Sequence, residues 1–244
     1  MTAKIRLCVD HPLGQGQTVP LSREQAHYLF GVMRLTEGAH LLLFNGQDGE
    51  WLAEVSDAGK RGGSLAVLEQ TAPLRSPPDL WLLFAPVKKA RTDFIVEKAV
   101  ELGAARIVPV QTDFTNSERV RQDRLQANAV EAAEQCGATV VPEVADLHRL
   151  DRLLADWPEG RQLLFCDEGA AGSDALASIL EAERGVGGWA ILIGPEGGFS
   201  EAERKRLSAL PFARSIGLGP RILRAETAAV AALTLWQAHL GDWR

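Results

Sequence analysis

Residues 189–203 read WAILIGPEGGFSEAE, and this stretch decides the class of fold. Its five apolar residues, Trp189–Ile193, are typical of a strand that is buried on both faces. Three glycines follow within the next five residues, and the pair Ser200 and Glu203 matches a capping box that opens a helix. A strand that runs through a glycine turn into a helix predicts an α/β sheet with a ligand site at the carboxyl end of the strand. A tight turn that needs glycine for its backbone angles explains the same residues without a ligand.

A second stretch with the same organisation lies at residues 216–228 and reads IGLGPRILRAETA. Here too the end of a strand leads through glycines into the start of a helix. Glu226 lies in the predicted first helical turn, where the helix dipole favours an acidic residue with or without a ligand. Arg224 lies just before the helix, where the dipole disfavours a cation. Its charge therefore indicates that it holds an anion or a carbonyl group of a ligand.

Strands and helices alternate over the part of the chain that contains these two stretches. Apolar runs predict strands at 80–85, 106–110, 139–141, 163–166, 189–193 and 215–218. Helices are predicted at about 92–102, 118–136, 147–156, 173–183, 201–209 and 225–240. Thr92 or Asp93 is expected to cap the first of these helices. The alternation predicts a mainly parallel sheet that is covered by helices on both faces.

The first 72 residues follow a different pattern. Strand-like runs at 39–44 and 50–55 flank Asn-Gly and Asp-Gly turns, which predicts a β-hairpin. Another strand is expected at 64–69, and Ser22 with Gln25 forms a capping box for a short helix that ends near Phe30. Residues 1–72 are therefore expected to form a small β-rich barrel with one helix. Residues 73–79 hold three prolines and are predicted to be a linker to the α/β domain, residues 80–244.

Composition excludes several classes of protein. The chain has 244 residues, of which 46% are hydrophobic and 24% charged, as expected for a globular protein of one or two domains. It contains neither an apolar run long enough to span a bilayer nor an apolar signal segment, so a cytoplasmic location is expected. Cys8, Cys136 and Cys166 are scattered and odd in number, which predicts free thiols. Metal-ligand spacings, a Walker loop and an early Gly-x-Gly-x-x-Gly are all absent, so no metal and no usual nucleotide fold are expected.

The two late stretches together resemble the RsmE family of ribosomal RNA methyltransferases, which belongs to the SPOUT class. The resemblance rests on residues 192–200 with Glu203 and on residues 218–228. Weaker matches extend it along the chain, at 32–35, 98–103, 131–136 and 141–143. It implies an N-terminal PUA-like β-barrel that binds RNA, followed by an α/β domain with a deep trefoil knot. It also implies a homodimer that uses S-adenosylmethionine to methylate N3 of a uridine in the 16S RNA of the small ribosomal subunit.

The resemblance also implies which residues form the site. The expected cofactor-binding residues are Ile193, Gly194, Pro195, Glu196, Gly198, Ile216, Leu218, Gly219, Ile222, Leu223 and Thr227. Arg224 and Glu226 are the candidate catalytic residues. Arg224 would stabilise the anion that forms on the uridine ring, and Glu226 would orient that arginine, contact the cofactor or accept the proton. The expected RNA-binding residues are Arg34, Lys88, Lys89, Arg91, Arg119 and Arg121.

Two features qualify the expected partners. The net charge of −6 argues against binding of naked RNA by bulk charge, so we expect the assembled small subunit to be the substrate. Arginines that are frequent in the family after positions equivalent to Thr112 and Gly137 are missing here, so RNA contacts there are altered or supplied by Arg119 and Arg121. The implied dimer would use the final helix, where one face carries four residues that suit either a partner or an ordinary core: Val230, Leu233, Trp236 and Gln237.

Two functions of other classes remain open at this point. One is a non-catalytic RNA-binding factor for ribosome assembly, built from the barrel and a decayed cofactor domain. The other is an α/β enzyme that binds a different adenine nucleotide through the glycine turns. The intact glycine stretches weigh against the first of these alternatives.

Overall fold

The computed structural model describes residues 5–59, 62–116, 119–167, 169 and 187–243. The chain divides into two compact units. The first unit holds Met1–Ser76 and Ala133–Val141, and the second holds Pro77–Ala132 and Pro142–Arg244. Every helix within the described ranges is too short or too polar to cross a membrane.

Five strands of the described residues form the sheet of the first unit, in the order β1-β3-β4-β5-β2. Their bounds are β1 Arg6–Cys8, β2 Thr18–Pro20, β3 His40–Phe44, β4 Glu50–Ala58 and β5 Gly63–Ala72. The predicted hairpin is confirmed, because β3 and β4 pair antiparallel with Leu42 opposite Leu52. Alternate residues of the strands point into the core, which includes Leu41, Leu43, Ala53, Val55, Leu65 and Val67. The strand predicted at 64–69 lies within β5.

The short helix of the first unit begins where its capping box predicts. Helix α1, Arg23–Ala26, has Ser22 as its N-cap, and both hydrogen bonds between Ser22 and Gln25 are present. The helix then continues as a wider π-helical turn, His27–Val32, which local sequence rules do not predict. Arg34 follows with a φ of 56°, a conformation that is uncommon for residues other than glycine.

The first unit also includes residues 133–141, which hold the end of a helix and the loop after it. The guanidinium of Arg6 donates to the carbonyls of Ala133 at 2.6 Å and Glu134 at 3.1 Å, which the end of the helix leaves open, and to the carbonyl of Ala138 after the helix at 2.7 Å. The Thr139 hydroxyl accepts from the backbone N–H of Arg75 at 2.9 Å. The strand predicted at 139–141 is therefore wrong. Residues 139–141 enter no sheet, and Thr139 is bonded to the backbone of Arg75 instead.

The second unit is built on a parallel sheet, as the alternation predicted. Its strands are β6 Leu80–Phe84, β7 Arg106–Gln111, β8 Glu143–Val144, β9 His148–Arg149, β10 Gln162–Cys166, β11 Trp189–Ile193 and β12 Ala213–Ile216. The order is β12-β10-β11-β6-β7-β8, with β9 also paired to β7. Each pairing among these described strands is parallel. The helices are α2 Lys89–Glu101, α3 Gln122–Cys136, α4 Leu150–Ala155, α5 Glu201–Ser208 and α6 Ala225–His239.

Several predicted helix boundaries need correction. Helix α2 begins at Lys89 with Lys88 at the N-cap, so the predicted caps Thr92 and Asp93 are wrong. The Thr92 hydroxyl bonds the backbone of Val87 instead, at 3.1 Å. Helix α4 starts at Leu150 and not at 147, because residues 148 and 149 pair with β7. Helix α3 starts at 122 and not at 118, and the helix predicted at 173–183 lies outside the described residues.

The final helix α6 carries the face that was predicted to contact either a partner or the core, and most of that face is buried. Leu233, Trp236 and Gln237 are almost fully buried within the chain itself. The Gln237 side chain donates to the carbonyl of Leu102 at 2.6 Å and accepts from the N–H of Asp242 at 3.1 Å. These three residues therefore serve as core, and the amide of Gln237 joins the ends of α2 and α6.

A buried arginine joins the amino ends of three neighbouring strands. The Arg161 guanidinium binds both carboxylate oxygens of Asp79, at 2.7 and 2.9 Å, and donates to the carbonyl of Trp189 at 2.9 Å. It also lies 3.9 Å from the ring centre of Trp81. A Cβ on Gly188 would meet the Asp79 carboxylate and lie 2.7 Å from the central guanidinium carbon of Arg161. A residue larger than glycine at position 188 would therefore push the Asp79 and Arg161 side chains apart.

We expect Gly188→Ala to lower the free energy of unfolding by about 1–3 kcal/mol, the usual cost of forcing an extra methyl group into packed atoms. Denaturant unfolding of the full chain measures it. Gly187→Ala is the matched control, since its Cβ would meet only the carbonyl of Gly160 at an ordinary 3.4 Å. Equal stability of the two variants would show that Arg161 and Asp79 move apart without cost.

Candidate functional site

A cavity lies at the carboxyl ends of three adjacent strands of the second unit, β10, β11 and β12. Cys166, the last residue of β10, pairs with Ile193 of β11 on one side and with Ile216 of β12 on the other. The glycine turns that follow β11 and β12 therefore start on either side of β10, at the same edge of the sheet. The cavity is lined by Cys166, Asp167, Ile193, Gly194, Pro195, Glu196, Gly198, Phe199, Ile216, Gly217, Leu218, Gly219, Pro220, Arg221, Ile222, Leu223, Ala225 and Ala228. This is the edge at which open α/β sheets bind ligands.

Glycine is required at two places in these turns. Gly198 has a φ of 67° and Gly219 a φ of 98°, conformations that side chains with a Cβ rarely adopt. A Cβ on Gly194 would lie 3.2 Å from the ring of Phe199, which packs edge-on against Phe165. At these glycines the backbone borders the cavity without an intervening side chain.

The first turn is held by the capping box that the sequence predicted. Ser200 caps α5, its hydroxyl accepts from the N–H of Glu203 at 3.2 Å, and the Glu203 carboxylate accepts from the N–H of Ser200 at 2.9 Å. The other oxygen of Glu203 accepts from the N–H of Asp113 at 2.9 Å. Glu203 is buried, where an unpaired charge would be costly, and these backbone donors satisfy its carboxylate. The capping box therefore also fixes the loop that follows β7.

The structure brings together nearly all the residues that the resemblance assigned to the cofactor. Every one of them lines the cavity except Thr227, which is exposed on α6. The sequence prediction did not include Cys166 and Asp167, the end of β10 and the residue after it. No local signal distinguishes them. Only the order of the strands, with β10 between β11 and β12, places them at the site.

Most of the residues that line the cavity are apolar or glycine, and three of them are charged, Asp167, Glu196 and Arg221. Asp167 is nearly buried and pairs with Arg204 at 3.1 Å, whereas Glu196 is half exposed. An apolar cavity with a small number of polar groups and accessible backbone is the usual form of a small-molecule site. Among the described residues, no group of three histidine, cysteine or acidic side chains is arranged to hold a metal ion.

Arg91 lies between two acidic side chains of the site. It forms ion pairs with Glu196, in the turn after β11, and with Glu226, in the first turn of α6, where Nε lies 3.5 Å from Oε1. Arg91 was predicted to contact RNA, but in this structure its guanidinium is engaged by the two carboxylates. The other oxygen of Glu226, Oε2, is buried and has no hydrogen-bond partner among the described residues. A buried acceptor of this kind is uncommon and is often found at functional sites.

Arg224 differs from Arg91 in being available to a ligand. It is the N-cap residue of α6, with extended backbone angles of −67° and 155°, so it lies before the helix and not within it. Its side chain is exposed and forms neither an ion pair nor a hydrogen bond with another described residue. The guanidinium is thus free to meet an anion, although neither Arg224 nor Glu226 lines the cavity itself.

The remaining predicted RNA-binding residues fall into three places. Lys88 and Lys89 are exposed at the start of α2, and Arg119 and Arg121 precede α3. Arg121 is paired with Asp123 at 2.6 Å, and this hydrogen bond raises the pKa of the arginine. Arg34 belongs to the first unit and is exposed after the π-helical turn.

Cys166 should be chemically inert although it lines the cavity. Burial disfavours the charged thiolate and raises the pKa of Cys166 from 9.0 to about 12. At pH 8 we expect iodoacetamide to modify the exposed Cys136 well before Cys166, because the thiolate is the reactive form. Mass spectrometry of peptides over time measures both rates. Labelling of Cys166 as fast as Cys136 would contradict the burial of its thiol.

Comparison with known proteins agrees with this geometry. A profile of the RNA methyltransferase domain matches residues 74–237, and a profile of the RNA methyltransferase PUA domain matches residues 21–68. The ribosomal RNA small subunit methyltransferase E of Rickettsia conorii is 30% identical over 93% of both chains. The protein of the same name from Bacillus subtilis is 30% identical over 90% of both chains.

A solved structure resembles the whole chain. The ribosomal RNA small subunit methyltransferase E of Neisseria gonorrhoeae, bound to S-adenosylmethionine, has a TM-score of 0.89 and 28% identity, and the match covers 98% of this chain and 99% of that one. The predicted PUA-like N-terminal domain and the α/β domain of RsmE type are thereby confirmed. Both glycine turns fall within the matched methyltransferase domain. The chain therefore belongs to the RsmE family of RNA methyltransferases.

Proposed function

We propose that this protein transfers the methyl group of S-adenosylmethionine to N3 of a uridine in 16S ribosomal RNA, in the cytoplasm. The observation that carries the proposal is the cavity formed by both glycine turns at the carboxyl ends of β10, β11 and β12. Relatives that match over nine-tenths of the chain are named as small-subunit RNA methyltransferases, and one solved relative holds S-adenosylmethionine. A non-catalytic assembly factor is not favoured, since its cavity would serve no purpose.

The residues of the cavity fit S-adenosylmethionine. Its adenine ring needs apolar walls, which Ile193, Ile216 and Leu218 supply. Its polar edges need donors and acceptors at close range, which the exposed backbone of the two glycine turns offers. Its ribose hydroxyls and amino group need a carboxylate, and Asp167 lies at the cavity wall. Expected ligand contacts come from all the predicted cofactor residues that line the cavity.

Calorimetry distinguishes this assignment from a site for another adenine nucleotide. We expect S-adenosylmethionine and S-adenosylhomocysteine to bind the full chain more tightly than ATP, because the cavity lining offers one cation, Arg221, to three phosphates and also carries two carboxylates, Asp167 and Glu196. Tighter binding of ATP than of S-adenosylmethionine would contradict the proposed cofactor.

The charged groups near the cavity suit the chemistry of the uridine ring. When bound, S-adenosylmethionine supplies an activated methyl group, so catalysis consists mainly of positioning and of charge stabilisation. N3 of uridine must lose its proton, and negative charge then spreads to O2 and O4. The exposed guanidinium of Arg224 stabilises that charge. Glu226, held at one oxygen by Arg91, keeps Oε2 as the acceptor for a proton or a hydrogen bond.

Several finer features belong to the same proposal. The α/β domain would contain the trefoil knot of the SPOUT class, and the protein would act as a homodimer through α6. With Leu233, Trp236 and Gln237 buried in the chain, the partner would contact other parts of that helix, such as the exposed Leu235. The barrel, residues 1–72, would bind RNA by shape and phosphate contacts, and the linker would be 73–79, followed by the methyltransferase domain, 80–244.

The net charge of −6 leads to a prediction about the form of the substrate. We expect methyl transfer to purified small subunits to be faster than to naked 16S RNA, because a protein of this charge lacks the long-range attraction that would hold unfolded RNA. The rate at which radiolabelled methyl groups are incorporated into filter-retained RNA is compared for the two substrates at equal RNA concentration and equal salt concentration. Equal rates on both substrates would contradict the requirement for an assembled particle.

A further inference from the structure

Phe114 is a large aromatic side chain that the fold leaves exposed beside the site. It lies in the loop after β7, at the carboxyl edge of the sheet, and 47% of its surface is accessible. A single exposed phenylalanine is common on protein surfaces, so the position of this ring beside the site is what gives it significance. No part of the mechanism described so far uses this ring.

The loop that carries Phe114 is held rigidly on both sides of the ring. The N–H of Asp113 donates to the Glu203 carboxylate at 2.9 Å, and the Ser200 hydroxyl donates to the Asp113 carboxylate at 2.5 Å. On the other side, the Thr115 hydroxyl accepts from the N–H of Thr112 at 2.8 Å. The ring is therefore presented in one place at little cost in conformational entropy, which is the property of a preorganised binding group.

The ring is also adjacent to the glycine turn of the cavity. A Cβ on Gly197 would lie 3.5 Å from the Cβ and 3.6 Å from a ring carbon of Phe114, so this side chain packs beside Gly197. Gly197 lies between Glu196 and Gly198, which both line the cavity. Ile222, which lines the cavity from the second turn, is exposed over 81% of its surface. Phe114 and Ile222 thus form exposed apolar surface beside the cavity, which a ligand larger than the cofactor could contact.

We propose that Phe114 is the stacking platform for the target uridine, an inference that rests on the proposed function. A base inside folded RNA must leave its stack before N3 is reachable, and enzymes compensate this loss by stacking the base on aromatic or apolar side chains. Phe114 supplies such a face at the cavity border. It acts by positioning the base and takes no part in proton transfer.

The test is a set of three substitutions at one position in the full-length protein. Phe114→Ala should lower kcat/KM for methyl transfer to small subunits by roughly 10- to 100-fold, the effect of losing one base–aromatic stack. Phe114→Trp should keep most of the activity, because indole also stacks. Phe114→Leu should resemble alanine, since leucine preserves apolar bulk without an aromatic face. Calorimetry should give unchanged affinity for S-adenosylmethionine in all three.

A matched control and the wild-type protein separate the possible failures. Phe94 is a comparably exposed phenylalanine on α2, 39% accessible, so Phe94→Ala should leave kcat/KM unchanged. Full rescue by Phe114→Leu, or normal turnover by Phe114→Ala, would overturn the stacking role. Wild-type protein that methylates no ribosomal RNA would instead contradict the proposed function. Loss of cofactor affinity in Phe114→Ala would also overturn the inference, because it would place the ring at the cofactor.

Discussion

Replacing Arg224 with alanine should lower single-turnover methyl transfer to small subunits by about 10²–10³-fold, the scale observed when one donor to a developing anion is removed. Arg224 is exposed at the N-cap of α6, where the helix dipole disfavours a cation and where the described residues offer it no ion pair. The charge of Arg224 therefore does not stabilise the fold. It is explained if the guanidinium stabilises negative charge on the uridine ring.

Two further variants make the result specific. Arg224→Lys should recover only part of the rate, because lysine lacks the planar pair of donors that a guanidinium offers. Arg152→Ala is the control, since Arg152 is an exposed arginine on α4 that does not line the cavity. Calorimetry should show normal cofactor affinity for Arg224→Ala. A parallel loss of affinity and rate would move this residue to the cofactor site, and normal turnover would refute its catalytic role.

Gly198→Val should weaken binding of S-adenosylmethionine by roughly 10²-fold, as expected for losing two backbone hydrogen bonds of about 1.5 kcal/mol each. Gly198 lines the cavity with a φ of 67°, where a β-branched residue is a genuine outlier. Valine must either displace the turn or project its methyl groups beside the ligand. Calorimetry on the folded variant measures the affinity directly.

The matched control for this variant is Gly160→Val. Gly160 has a φ of 78°, and a Cβ there would meet no other atom within 4 Å. The two variants thus share the backbone strain, but only Gly198 borders the cavity. Both should lose stability, whereas only Gly198→Val should lose the cofactor. Normal affinity in folded Gly198→Val would remove the first glycine turn from the site.

The sequence predicted the parts of the site that depend on neighbouring residues. The strand at 189–193, its glycine turn and the capping box of Ser200 and Glu203 are all local patterns, and the structure contains each of them. The start of α6 at Ala225 follows in the same way. The RsmE resemblance predicted that the two glycine turns form one site. Hydrophobic periodicity alone does not predict this.

Features that depend on distant residues were missed or wrong. Residues 139–141, a Thr-Val-Val run with high strand propensity, form no strand, and Thr139 is bonded instead to the backbone of Arg75, which is distant in sequence. The ion pairs of Arg91 with Glu196 and Glu226 were missed, because nothing near Arg91 in sequence reveals them, and its contact with RNA stays a prediction. Asp167 reaches the cavity only through the order of the strands. Long-range pairing decides each of these, and a single sequence does not display it.

Methylation of 16S RNA by the pure protein can be followed at the level of single nucleosides. Small subunits from cells that lack this activity are incubated with the pure protein and S-adenosylmethionine, and the nucleosides of their 16S RNA are analysed by mass spectrometry. The account predicts that 3-methyluridine increases with time, that it requires both protein and cofactor, and that Arg224→Ala slows its formation. Absence of any new methylated nucleoside, or methylation of a ribose or of another base, would contradict the account.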